Sequence, residues 1–483
     1  MQAEVSLADR ESWLRVLDSG LAEQPELLTL QFERALTLES LGRASEAEHA
    51  YNHILHEDPD FFPARNNLAR INYQTGRRVE AFAHYKEAVI RHPENAKAHA
   101  NFAFLLLRGD DPATARLHYE RALVLEPDNV EAHRGLTLAL QALGENTAAA
   151  SHHARGFDAN PLTVLPYRGE GSGIRTLLIV SSTPGNIHFE GMLDEQHFAI
   201  TKIIAESEQY LPELPPHDLL INTIGDADIA SAGLAGAQRI VARSNASVIN
   251  HPSVIAATRR TAIAQRLRAL PNVQTAHMQL FSRDQLLADD ALVALQQAGF
   301  AFPLLIRTLG FHTGQHFLAI DDASDLVAAV AKLPGEELLV LEYIDTRDQA
   351  GRFCKYRVMA VGGKLYPLHA AVGNDWKVHY FSAQMDDEQH IEIDAHFLTD
   401  MHAHLGEKAI ASLQAVAHEL SLDYGGIDFA LDAAGQVVVF EANATMIVPR
   451  PNNDARWAYR QEPTQRIYDA VHALLQSRLN ASA

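Results

Sequence analysis

The chain has one cysteine, Cys354, in 483 residues, so no intramolecular disulfide can staple it and its stability must come from buried cores. No basic N-terminal segment leads into an apolar stretch, and no run reaches the ~18 to 20 apolar residues of a membrane span. Even LLIRTLGF and LLVLEYI are broken by charge. A soluble protein of a reducing compartment is expected, which reads as cytoplasmic. Basic residues are in deficit: 40 Lys and Arg face 61 Asp and Glu, a net charge of -21, with no clustered basic face that would gain from counterion release on nucleic acid. No G-x-G-x-x-G follows the first β-rich run and no Gly-Lys-Ser/Thr opens a helix after the Gly-containing loop, so neither a dinucleotide site nor a Walker P-loop is expected. The 25 histidines are scattered without zinc spacing and read as solvated or helix-surface residues.

This length exceeds one hydrophobic core, and two to four domains are expected. The first third matches itself at a shift of 34 residues. Gly42, Gly76 and Gly144 coincide, with Asp110 in the remaining register. Five residues on stand Ala47, Ala81, Ala115 and Ala149, then Tyr51, Tyr85, Tyr119 and His153; the units close with Pro59, Pro93, Pro127 and Pro161, and Pro25 extends the series backwards. Each unit reads as an apolar helix, a turn, a second helix carrying the small Ala at the crossing and the aromatic beyond it, and a Pro that stops it. Spacing and residue types resemble the tetratricopeptide repeat. The resemblance covers residues 1 to 158 and implies an all-α solenoid whose concave surface takes a peptide or protein partner, or else a dimerisation or spacer element.

Residues 159–173, rich in Pro and Gly, read as a linker. The apolar runs in IRTLLIVSSTPGN, HDLLINTIGDAD and ASVINHP, separated by helical lengths, read as parallel strands of an α/β domain over 174–256. Ligands of such sheets sit at the carboxyl ends of strands, which makes Ser182, Gly185, Asn186 and Asn222 candidate substrate-loop residues. Pro184-Gly185 reads equally well as a plain turn.

Chemistry concentrates between residues 300 and 450. FPLLIRTLGFHTGQHFLAI sets a strand before Arg307, then a loop with Gly310, Thr313 and Gly314 whose backbone N–H groups can close over phosphate oxygens, then a second strand. LLVLEYID is a buried strand ending in Glu342, Tyr343, Ile344 and Asp345, an end that can meet an adenine and a ribose hydroxyl. KYRVMAVGGKLYPLHA reads as a hairpin about Gly362-Gly363, with Lys355 and Arg357 on one face as a phosphate-holding pair or a solvated edge. In LDYGGIDFALDAAGQVVVFEANATM, a loop of residues 432 to 435 would set Asp428 opposite Val439, on the face of Glu441 and Asn443. Two carboxylates and an amide oxygen suit Mg²⁺, and without a cation the carboxylates would repel.

In this order the pieces resemble the ATP-grasp superfamily, which includes glutathione synthetase and D-alanine-D-alanine ligase, over residues 173–478. The resemblance implies an α+β ATP-grasp domain at 257–483 behind the α/β pre-domain. It puts clasp cations at Arg260 (or Arg259) and Arg307, the adenine hinge at Glu342, Tyr343 and Ile344, phosphate-loop contacts at Gly310, Thr313 and Gly314, catalytic charge at Arg357 and Lys355, and Mg²⁺ ligands at Asp428, Glu441 and Asn443. Relatives more often carry Lys at the clasp positions and an acid at 355, which leaves open the phosphate that each Arg contacts. The implied activity joins a small-molecule or peptide carboxylate to an amine, using ATP and an acyl phosphate. A small-molecule kinase and a nucleotide-sensing scaffold on the same fold are the alternatives. Cys354 has no base partner nearby in sequence and reads as a structural thiol.

Overall fold

The computed structural model describes residues 7–309, 314–378, 385, 387–451 and 455–482. The chain divides into two compact units: one takes residues up to 175 with 194–202 and 207–213, the other 176–193, 203–206 and everything from 214.

In the first unit, helix Leu7–Glu23 precedes four helical hairpins: Leu28–Ser40 with Ala44–Glu57, Phe62–Gln74 with Arg78–Arg91, Ala96–Arg108 with Pro112–Leu125, and Val130–Ala142 with Asn146–His153. The period has a backbone cause. Each hairpin turn puts one residue in the left-handed region, Gly42 at φ +75°, Gly76 at +81°, Asp110 at +64° and Gly144 at +78°, so only glycine or a turn-tolerant Asp fits. The repeated alanines and Tyr51, Tyr85 and Tyr119 are buried where helices cross. At the Tyr119 crossing a Cβ on Gly135 would stand 2.0 Å from the ring, which fixes a glycine there for close approach.

A second series of the same period follows Pro59, Pro93 and Pro127. Arg65 Nη2, His99 Nε2 and His133 Nε2 bond the carbonyls of Pro59, Pro93 and Pro127 at 2.7, 3.0 and 2.9 Å. A carbonyl only accepts, so both histidines carry a proton on Nε2, and their Nδ1 atoms accept from Nδ1 of His118 and His152, at 2.9 Å in each pair. His99 and His133 are therefore buried structural groups, which corrects the expectation of solvated histidines. The expected linker is also built into this unit. Leu162–Val164 is a strand (β1), and Arg134 ties the segment down through Gly156 O, Asn160 O and Thr163 Oγ1 at 2.8, 2.6 and 3.1 Å.

The runs expected to be parallel strands are β2 (Ile174–Val180), β4 (Leu219–Asn222) and β5 (Ser247–Ile249), and β4 pairs in parallel with both others. Helix Ser231–Ala242 lies between β4 and β5, but no α-helix separates β2 from β4; that stretch holds β3 (Phe198–Ile204) and short 3₁₀ turns. In the second unit, β7 (Met278–Ser282), β10 (Glu337–Glu342), β8 (Leu304–Thr308) and β9 (Phe317–Ile320) form an antiparallel sheet in that spatial order. Leu304 and Ile306 point into its helix-covered core with Leu326, Val330, Leu338 and Val340, so by parity Arg307 takes the other face. A further sheet has the order β12 (Lys364–Gly373), β11 (Phe353–Val361), β13 (Tyr424–Leu431), β14 (Val437–Asn443), β6 (Val273–Thr275). Strand β11 has neighbours on both sides, so Lys355 and Arg357 do not stand on a solvated edge.

Burial, then the adjacent His99 or His133, pushes His118 and His152 below the ordinary histidine value. The unfolded chain then takes up protons first as pH falls below ~6.5, so stability present at neutral pH is lost between that value and the depressed folded one. Melting followed by circular dichroism should show the array's transition falling in temperature from pH 7.5 to 5. The double variant His118→Gln/His152→Gln should flatten that slope; an unchanged slope would refute the assignment.

Candidate functional site

One row of side chains crosses four strands. His369 on β12 pairs with Arg357 on β11, Arg357 with Asp428 on β13, and Asp428 with Glu441 on β14. Cross-strand partners share a face, so four titratable groups are collected on one side of the sheet. The expected opposition of Asp428 to Val439 is corrected by two register shifts. The turn between Leu431 and Val437 is one residue longer than expected, where Asp432 Oδ1 accepts from Ala434 N and Gln436 N, which alone would turn Asp428 away from Glu441. A bulge between Asp428 and Phe429 on one strand and Glu441 and Val439 on the other takes up Phe440 and restores the shared face. A second irregularity follows Arg357 in its pairing with β12.

Asp428 is 0% exposed and would be forced neutral without cations. Arg357 clamps it through Nε and Nη2 at 2.5 and 2.8 Å, and Lys355 Nζ stands 2.5 Å away. Burial alone would raise its pKa, but Arg357 and Lys355 outweigh burial and hold it far below the carboxylate range. Glu441 is likewise pushed up by burial but carried below its ordinary value by Arg260, Lys355 and Arg307. Arg260, at the start of helix Arg260–Leu267, donates from Nη2 to Glu441 Oε1 at 2.8 Å and places its backbone N–H 3.2 Å from Asp228. Of Arg259 and Arg260, Arg260 is the one that bonds Glu441. Burial, then Arg260, lowers Arg307 to about 10, and its guanidinium lies over the Phe317 ring at 5.3 Å. Burial, then Arg357, drives His369 well down, so it stays neutral.

A pocket adjoins this cluster, lined among others by Asp226, Asp228, Thr258, Arg260, Glu441 and Asn443. Asp226 and Asp228 were not singled out in the sequence, although GDAD follows β4 at the carboxyl end where ligands of parallel sheets bind. With them, four carboxylates (Asp226, Asp228, Asp428, Glu441) face four cations (Arg260, Arg307, Lys355, Arg357). The expected repulsion between Asp428 and Glu441 is therefore already offset by protein charges. Asn443 donates to Glu441 Oε1 at 2.9 Å, and its oxygen accepts from Thr445 N and Oγ1. Among the described residues no group of three or more His, Cys, Asp and Glu is arranged to hold a metal ion. Of the expected Mg²⁺ ligands, Glu441 and Asn443 line the pocket while Lys355 and Arg357 occupy the oxygens of Asp428. The Asn443 oxygen already takes two bonds from Thr445, so a Mg²⁺ held by Glu441 and Asn443 would displace one of them and take the rest of its shell from ligand oxygens.

The remaining expected residues are placed as follows. Gly310 and Thr313 lie outside the described residues. Gly314 has φ +73° just before β9. Glu342 ends β10, and its carboxylate accepts from His277 N at 3.0 Å. Tyr343 and Ile344 are half-buried, and burial, then Asp345, raises the Tyr343 phenol. In the β2 loop, Asn186 braces Ser181 and Thr183, and Ser182 N donates to Glu206 at 3.0 Å. Gly185, at φ +102°, packs against Asp226. Asn222 is buried, bonding Asn250 O at 3.0 Å and Ile224 N at 3.2 Å. The two asparagines thus hold loops together. Burial raises Cys354 to about 12, so it is no thiolate nucleophile.

A family model of the tetratricopeptide repeat matches residues 32–96 and 102–161, and the N-terminal array consists of such repeats. No curated protein matches the chain. Among solved structures, a crystal structure of MamA is 16% identical over 31% of this chain and 87% of its own, with a TM-score of 0.28. MamA from residue 41 to its end, from Desulfovibrio magneticus RS-1, is 17% identical over 31% of this chain and 84% of its own, with the same score of 0.28. YrrB, described as a TPR protein with an unusual peptide-binding site, is 20% identical over 30% of this chain and 75% of its own, again at 0.28.

Replacing Asp428 by Asn leaves Arg357 and Lys355 with an uncompensated buried charge, which costs about 3 kcal/mol or more. Chemical denaturation of Asp428→Asn should show that loss. Glu441→Gln should lower stability less, because Asp228 and Asp226 still face Arg260. An Asp428→Asn protein as stable as wild type would show that the clamp is not needed for folding.

Proposed function

We propose that the chain is an ATP-dependent carboxylate-amine ligase whose tetratricopeptide array recruits a peptide or protein substrate or partner. The observation that carries this reading is the charge cluster itself: Lys355 and Arg357 on β11, Arg260 at the start of its helix and Arg307 on β8 gather around Asp428 and Glu441, and Arg260 and Glu441 line a pocket. Cations held in place by buried carboxylates beside a pocket recur where transferring phosphoryl groups are bound. A substrate carboxylate oxygen would attack the γ-phosphorus of ATP, breaking its bond to the β–γ bridging oxygen and releasing ADP. An amine would then attack the acyl carbon, lose a proton and expel phosphate, leaving an amide. Arg357 and Lys355 would neutralise charge on the transferring group, and Arg260 and Arg307 would orient the nucleotide phosphates. Mg²⁺ at Glu441 and Asn443 would supply further neutralisation of the phosphate oxygens.

Array recruitment is best tested by point changes. Residues 194–202 and 207–213 belong to the array's unit, so a deletion ending at 173 would strip them of their neighbours. Phe104, over a third exposed, packs edge-on against Tyr73 at 5.5 Å and under Arg108 at 5.4 Å. Phe104→Ala should raise KM for a peptide substrate while leaving ATP affinity unchanged.

The decisive test of the chemistry is incubation with ATP, Mg²⁺, hydroxylamine and a pool of amino acids and peptides. Hydroxamate together with ADP supports the ligase, and Arg357→Ala should lower its rate about 100-fold or more. A phosphorylated hydroxyl compound in its place would make the protein a kinase. Nucleotide binding with no turnover would make it a sensor.

A further inference from the structure

The chain that leaves the last repeat is tied back to the first. On Val130–Ala142, the first helix of the fourth hairpin, Arg134 holds Asn160 O and Thr163 Oγ1. Five residues beyond Thr163, Arg168 Nη1 donates to Glu39 O at 3.1 Å and to Glu195 Oε1 at 2.7 Å. Arg10 Nη1 reaches both Arg168 O and Ser40 O at 3.4 Å. Glu39 and Ser40 end Leu28–Ser40, the first helix of the first hairpin. Between these two lie the first helices of the second and third hairpins, joined along the row by the Arg70–Glu39 ion pair and by Asn101 Nδ2 donating to Asn66 Oδ1 at 2.5 Å. Glu39 thus links the point where Arg168 is held to the wall formed by the first helices.

Granted the recruitment reading of the array above, we infer that residues 160–168 are a strap across its concave side, which an extended peptide must displace to take the groove. Packed helices stand about 8 to 10 Å apart, so the row of first helices from the first hairpin to the fourth covers about 24 to 30 Å. Residues 163 to 168 extend over about 17 Å. The side chains of Arg134 and Arg168 make up the difference only if the strap runs nearly straight, and a straight chord of a curved row lies on its inner side. It does not follow one edge of the row. Arg134 stands in the second turn of its helix and Glu39 in the last turn of the other, and stacked repeats set their first helices in one direction, so the strap crosses the helix faces diagonally. Its fastening is weak. The side chains of Arg168 and Glu195 are 23% and 45% exposed, and ion pairs so open to water add little. Pro161 and Pro166 have no N–H to offer the neighbouring β3, where Ile200 O accepts from Leu165 N at 2.9 Å, while Glu195 O accepts from Arg168 N at 2.8 Å. Val164, in the middle of the strap, is 75% exposed, so its side chain adds no burial that would hold the segment down. Polar ties at the ends and a solvent-facing middle suit a segment that lifts off.

Fluorescence anisotropy of a dye-labelled peptide with the sequence of residues 159–170, titrated with the full chain, tests this. In wild type the tethered strap competes at the roughly millimolar effective concentration of a short linker. Arg168→Ala loosens the strap alone and leaves Arg10, Glu39, Arg134 and Glu195 in place for the peptide. The peptide should bind Arg168→Ala about tenfold or more tightly than wild type, and a control peptide with Ala for its own arginine should bind neither protein. Arg168→Ala should melt as wild type does; if it melts lower, Arg168→Gln, which keeps most of the stem, replaces it in the titration. Equal affinity for wild type and variant, or binding to neither, overturns the inference and makes residues 160–168 a fixed part of the array. The gain is read without turnover, so a failure of the ligase reading leaves it intact. In the ligase assay, Arg168→Ala should lower KM for a peptide substrate with kcat unchanged; the anisotropy gain with an unchanged KM would confirm a releasable strap and remove peptide recruitment instead.

Discussion

A fully buried carboxylate stays ionised only if cations are fixed beside it, and Asp428 imposes that requirement on the sheet around it. Arg357 can clamp it only from the directly opposed position on β11, and Lys355 only from two residues away on the same face. Glu441 shares that face because β14 bulges at Phe440. A sheet without the bulge would turn Glu441 to the opposite side, away from Arg260 and the pocket. The irregularity is therefore part of the arrangement: one unpaired residue aligns a carboxylate that the longer turn would have misplaced.

The array obeys a different constraint, imposed by backbone. Four turns need a left-handed residue, and three closing prolines leave a carbonyl that the next helix must satisfy. The first demand appears in the sequence as glycine or Asp at a period of 34 residues. The second appears as Arg65, His99 and His133, three residues of two chemical types at equivalent positions. What is shared among them is a donor six residues beyond the proline, so the series is visible in geometry and hidden from a comparison of residue types.

This difference explains what could be read from the amino acids. Repeats, turn glycines, the β11–β12 hairpin about Gly362-Gly363 and the parallel pairing of β2, β4 and β5 follow from local rules of period and parity. The shared face of Asp428 and Glu441 was also reachable, but for a reason that turned out otherwise: a longer loop and a bulge cancel, and neither leaves a mark in the hydrophobic pattern. Asn186 and Asn222 looked like ligand contacts because polar residues at strand ends often are. Whether such an amide faces a ligand or a neighbouring carbonyl depends on the fold of the whole loop. Asp226 and Asp228 lie far in sequence from Arg260 and Glu441, and no spacing rule links positions brought together by sheet topology.

The charge balance of the site also bears on how it could receive an anion. If every donor on Arg357 and Lys355 were spent on Asp428, a phosphate could bind only by breaking a buried ion pair, at a cost that few contacts would recover. The donor inventory shows otherwise. A guanidinium has five N–H donors and Asp428 takes one from Nε and one from Nη2; an ammonium has three and Asp428 takes one. Asp428 thus fixes the direction of both cations while leaving them with donors to present. In the proposed ligase Asp428 would orient the two cations, and they would touch the ligand. That division of labour accounts for a carboxylate that is buried and kept ionised beside a pocket whose walls carry Glu441 and Asn443 instead.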